Sequence, residues 1–123
     1  MSAIYSTINL KPLSVNEAWQ GQRFKTDKYK KYEKDLLFIL PNKKLTIKAP
    51  YNINILLFMS NKRSDIDNPV KLIIDILQKK YLFNDCDIYQ LLITKTIVKK
   101  GKEGFHFIIY NEDKTSELIA LNK

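Results

Sequence analysis

At 123 residues, 45% hydrophobic and 28% charged, the chain has the size and mix of one globular domain rather than a disordered chain, and no apolar run approaches the length of a membrane-spanning helix. Its one cysteine, Cys86, excludes an internal disulfide and a Cys-based zinc site, and His106 as the only histidine leaves little support for a His-based triad. A net charge of +8 and a pI near 9.5 favour a polyanionic partner.

Residues 3–9 alternate, with Ile4, Ser6 and Ile8 against Tyr5, Thr7 and Asn9, which predicts a strand ended by Pro12. The opening MSAIYSTINL lacks the basic-then-apolar order of a secretory signal, so a cytoplasmic protein is expected. PLSVNEAWQGQRF reads as a loop into a helix that Thr26 or Asp27 can cap. Tyr29, Tyr32, Leu36 and Ile39 give that helix its apolar face, its other face is rich in lysine, and Pro41 stops it. Leu45 to Lys48 is a short extended piece. The near-continuous apolar run 53–59 predicts a buried strand, and Asn61 to Asp67 a polar turn.

Asn68 as N-cap and Pro69 at the first helical position open a second helix. Its stripe of Val70, Ile73, Ile74 and Leu77 runs to near Lys80. The loop YLFNDCD leads to a strand from Ile88 to Val98, and the turn KKGKEG to a strand from Phe105 to Tyr110. With no crossover helix between them, these two strands read as an antiparallel hairpin. The polar tail from Asn111 allows a short helix. The order β-α-β-α-β-β predicts one α+β domain over residues 1–123, a mixed β-sheet with two main helices packed on it.

Charge is unevenly placed along these elements. Basic residues crowd from Arg23 to Lys48 and recur at Lys95, Lys99, Lys100 and Lys102. Between the two groups, Asp65, Asp67, Asp75, Asp85 and Asp87 gather five of the thirteen acids. Carboxylates so close repel one another and a phosphate unless a cation sits between them. An acidic island in a basic protein therefore points to metal-dependent phosphoryl chemistry, with an oxygen-held ion: magnesium, manganese or calcium. Caps and turns account for Asp75 and Asp87 individually, Asp75 as a surface ion pair with Lys71 in preference to a role in holding that lysine at a site.

The sharpest run is Ser64-Asp65-Ile66-Asp67-Asn68-Pro69-Val70-Lys71. If Asp65 to Asp67 is extended, both carboxylates face one side. Lys71, four residues on, can join Asp67 at one site. The helix carries the chain back by about 18 Å, so that Asp85 can meet them. Three carboxylates and one lysine brought together in this way suffice to hold a magnesium ion and to neutralise charge on an attacked phosphate. Arg23, Lys25, Lys28, Lys30 and Lys31, with Lys62 and Arg63, are the expected phosphate contacts.

RSDIDNPVKLIIDILQKKYLFNDCDI resembles the active-site segment of the RusA family of Holliday-junction resolvases. That family carries Asp-x-Asp-Asn, a lysine four residues after the second aspartate, a further helical aspartate and an acidic pair before a strand. PLSVNEAW is similar to its Pro-rich loop after the first strand. Carried over by position, the resemblance implies Asp65, Asp67 and Asp85 as metal ligands and Lys71 as the essential catalytic lysine; the pair before the last strand departs from the pattern, reading Asn84-Asp85 with Asp87 two residues on, which keeps Asp87 in reserve for Asp85. The resemblance implies a magnesium-dependent homodimer, with manganese as substitute, that nicks two strands of a four-way junction in recombination and repair, with no membrane and no small-molecule cofactor. Two other readings stay open from the residues: a non-catalytic basic dimer holding branched or duplex DNA, and a metal-dependent nuclease for another substrate.

Overall fold

The computed structural model describes residues 3–13, 19–20 and 24–111. Helix α1, Asp27–Ile39, starts where the Thr26 hydroxyl accepts the Tyr29 N–H at 3.2 Å, a satisfied N-cap. Its inward face is Tyr29, Tyr32 and Leu36, continued by Leu40. Ile39, expected on that face, is 46% exposed, because the helix ends there and the following residue turns inward instead.

Strand β1 spans Ile4–Ile8, and β2 and β3 are the two-residue strands Trp19–Gln20 and Phe24–Lys25, paired with each other. After α1 come β4, Tyr51–Met59, helix α2, Asn68–Tyr81, and β5, Ile88–Ile97. β4 and β5 are parallel, with α2 as the crossover between them. The last strand is β6, Gly104–Tyr110, and the main sheet has the order β1-β6-β4-β5. The α+β class, mixed sheet and two helices agree with the sequence reading.

The expected hairpin of the last two strands is absent. β4 lies between β5 and β6, and β6 runs antiparallel to both β4 and β1. The near-continuous apolar run of β4 suits an interior strand, whose two faces are the best covered, rather than an outer one. The connection crosses the end of β4, where Val98 N–H donates to Met59 O at 2.8 Å and Ser60 donates to Glu103 at 2.8 Å. Gly104 is required at the start of β6: a Cβ there would stand 2.2 Å from the carbonyl oxygen of Ile8.

The core lies between one sheet face and the helices. Ile4 and Ile8, Ile53, Ile55 and Leu57, and Phe105, Phe107 and Ile109 meet Leu72, Ile73, Ile76 and Leu77 of α2 and Tyr29 and Leu36 of α1. Glu33 of α1 accepts hydrogen bonds from Lys79 of α2 at 2.8 Å and from Lys25 at 3.3 Å. Burial opposes its charge, but those two lysines hold its carboxyl below the usual range. Farther along, Tyr81 donates to Pro41 O at 2.8 Å and Lys80 to Leu37 O at 3.0 Å. No helix among the described residues is long and apolar enough to cross a membrane.

Candidate active site

The loop ahead of α2 is held by its own backbone. Asn61 accepts the Arg63 N–H on its side chain at 2.9 Å and the Ser64 N–H on its carbonyl at 3.1 Å. Lys95 of β5 reaches across and donates to the carbonyls of Lys62, at 3.1 Å, and Ser64, at 2.7 Å. Asp67 has helical backbone angles, φ −86° and ψ −27°, so the stretch from Asp65 bends rather than running extended. The helix begins one residue earlier than expected, which makes Asp67 and not Asn68 the N-cap residue. Its side chain makes no capping hydrogen bond. A carboxylate at a helix start that does not cap it remains available for another task.

The bend separates the two aspartates. Asp65 accepts a hydrogen bond from the Asn68 side chain at 3.0 Å and lines a polar cavity of about 470 Å³ with Lys11, Arg63, Ser64 and Glu103. Asp67 instead lines a groove of about 650 Å³ between α2 and β5.

That groove is built by helix periodicity and by the turn after the helix. Lys71 and Asp75, one turn apart, present their side chains to it beside Val70 and Ile74. Leu82, in left-handed conformation at φ 57°, ends α2 with its N–H on Gln78 O at 2.8 Å. Phe83 then turns inward and meets Tyr51 edge-on at 5.5 Å. The 3-10 turn Asp85–Asp87 is tied back to the helix, with the Asp85 N–H on the Gln78 side chain at 3.0 Å. Asp85 thereby reaches the groove, whereas Asp87 is not among its lining residues. Ile88, Leu91 and Ile93 complete an apolar floor under Asp67, Lys71, Asp75 and Asp85.

Asp75 is half-buried. Among the described residues it makes no ion pair within 4 Å, so the surface pair expected with Lys71 does not form. Burial pushes its carboxyl above the usual range and the Asp85 charge adds to this, while Lys71, Lys79 and Lys25 pull the other way. The sequence reading took Asp75 as a surface ion pair of Lys71; its spacing from Lys71 was visible, but its neighbour Asp85 was not. It likewise counted Lys95 as part of a basic run, while here that side chain fastens the loop.

Among the described residues, no three carboxylate, histidine or cysteine side chains form a cluster able to hold a metal ion. Magnesium usually binds through only one or two carboxylates with several waters. Of the three carboxylates expected as ligands, Asp67 and Asp85 share the groove and meet that smaller demand, whereas Asp65 lies in the other cavity.

The expected phosphate contacts divide. Arg23 lies outside the described residues. Lys25 is engaged within the fold, paired with Glu33 and 4.9 Å above the Tyr29 ring. Lys28, Lys30 and Lys31 are exposed along α1, with Lys31 3.6 Å from Asp35. Lys62 and Arg63 are exposed in the loop, Arg63 beside Asp65 at the polar cavity. His106 is half-buried and hydrogen-bonded to Thr7 at 2.9 Å, and Tyr29 and Tyr32 are core residues.

The model of the family described as endodeoxyribonuclease RusA matches residues 11–104. The match includes every residue that lines the groove and the polar cavity. No curated protein matches the sequence.

Proposed function

Since this chain belongs to the RusA endodeoxyribonuclease family, we propose that it is a magnesium-dependent resolvase that cuts four-way DNA junctions. It acts as a homodimer and makes paired symmetric nicks, in recombination and repair, and manganese substitutes for magnesium. The observation that carries this reading is the meeting of Asp67, Lys71 and Asp85 on one groove. The run 64–71 and the turn 85–87 are brought there from opposite ends of α2.

In this reading Asp67 and Asp85 would hold the divalent ion, while Asp65 lines the separate polar cavity on the other side of the bend. A bound ion supplies an activated water and neutralises charge on the attacked phosphate. The Lys71 ammonium stabilises charge that grows on the phosphate oxygens during the reaction. Asp75, one turn after Lys71 in the same groove, adds a carboxylate whose charge the Lys71 ammonium offsets without pairing with it. Lys28, Lys30 and Lys31 lie along the exposed side of α1, where they contact phosphates outside the cut site and fix the DNA without reading its sequence. A junction with two-fold symmetry is cut twice by a two-fold dimer without any further device.

The test incubates the protein with a synthetic four-way junction and with linear duplex of matched sequence, in magnesium and in EDTA, and reads the strands on a denaturing gel. Paired nicks on the junction alone, lost in EDTA, are expected. Junction binding without cutting, in magnesium and in manganese, would overturn the reading in favour of a non-catalytic DNA-binding dimer. Cutting confined to flaps or single strands would keep the chemistry and replace the substrate.

A further inference from the structure

The main sheet has two outer strands, and they differ. β1 is five residues long, with Lys43 reaching 5.8 Å over the ring of its exposed Tyr5. β5 is ten residues long, and among the described residues no strand pairs with its outer edge. Along it Tyr89 is 77% exposed and Leu92 52%, and Leu91 and Ile97 are also exposed. The strand contains no proline and no charged residue but Lys95, whose ammonium is drawn away to the loop carbonyls. Solitary proteins protect such an edge with lysine, proline or a bulge; a long apolar one is a template for another strand.

The charges at its two ends indicate which strand. The head of β5 follows the acidic turn with Asp85 and Asp87, and its foot runs into Lys99, Lys100 and Lys102. An identical strand laid antiparallel brings the acidic head of each copy beside the basic foot of the other. A parallel copy would set acid on acid and base on base.

We propose that the outer edge of β5 pairs antiparallel with the same strand of a second copy of this chain, joining two sheets into one about a two-fold axis near Leu92. The proposal rests on the homodimer of the preceding reading and gives it a location. A two-fold axis perpendicular to the sheet keeps the helices of both copies on one face, so both grooves open on the same side. It also sets Lys99 and Lys100 of each copy next to the groove of the other.

The test uses the full chain. Light scattering after gel filtration gives the mass of the wild type and of Leu92→Lys, which sets like charges against each other at the axis. In parallel, single cysteines at Gln90, Leu92 and Thr94, in a Cys86→Ser background, are oxidised, with Thr7→Cys on the β1 edge as control. Expected are a wild-type dimer, a dissociation constant raised by roughly a hundredfold in Leu92→Lys, and a disulfide-linked dimer that peaks at one of the three β5 positions and is absent at Thr7. A dimer that survives Leu92→Lys and crosslinks at none of the three overturns the β5 assignment and leaves the homodimer standing. A wild type that is monomeric both free and on the junction overturns the homodimer as well. Should circular dichroism show Leu92→Lys unfolded, the cysteine series decides.

Discussion

Asp67 stands at the start of α2 without capping it, so its replacement tests chemistry with little cost in folding. Asp67→Asn is expected to bind the junction at least as tightly as the wild type, since a negative charge near phosphate is gone, and to lose cutting by about a hundredfold or more. Gel-shift and single-turnover assays separate the two effects. Asp85 and Asp87 form a second comparison. Asp85 lines the groove and Asp87 does not, so Asp85→Asn is expected to lose activity like Asp67→Asn, while Asp87→Asn stays within about threefold of wild type. Equal losses would remove the distinction. Asp65, Asp67, Lys71 and Asp85 were legible as a candidate set because a helix start and a four-residue spacing restrict where side chains can go. The parting of Asp65 from Asp67 was not, since it depends on the helical angles of one residue. Asp75 was read as a surface ion pair of Lys71 because its neighbour Asp85 belongs to a turn ten residues later, which packing alone brings near.

The two helices are joined by a charged link at Glu33, and its contribution depends on pH in a definite direction. Its carboxyl is held below the usual range, so the stabilisation is present above the unfolded-state value and fades as pH falls through the lower folded one. Glu33→Gln is expected to lower stability by about 1 kcal/mol at neutral pH. Urea melts of the two proteins should converge only as pH falls through the lowered folded-state value, below the ordinary carboxylate range; a gap that persists once Glu33 is protonated would mean that packing, not charge, is responsible. The helices themselves were legible: Thr26, Pro41 and Pro69 mark boundaries by local chemistry, and the apolar spacing marks their buried faces. The pairing of β5 with β4 was not. A short Gly-containing connection reads as a hairpin, and only the fit of β4 to an interior position argues otherwise. Gly104 records that arrangement. Gly104→Ala places a methyl group against the Ile8 carbonyl and is expected to destabilise the protein by about 2 kcal/mol or more in the same melts.

For the molecule as a whole, an excess of positive charge makes junction affinity fall steeply with salt. In a dimer each lysine counts twice. Lys30→Ala is expected to flatten the slope of log affinity against log salt by about two, one released counterion per protomer. An unchanged slope would take α1 out of the DNA contact. The order of the sheet has another consequence, in time rather than space. Ile4 lies opposite Ile109 and Ile8 opposite Phe105, so the strand that leaves the ribosome first pairs with the one that leaves last. At about 5–20 residues per second, β1 waits several seconds for its neighbour. Meanwhile β4, α2 and β5 can already assemble, with the slot for β6 open beside them. Nascent chains stalled before residue 104 should therefore remain open to protease at both ends of the sheet, and release of β6 should close them in a single step.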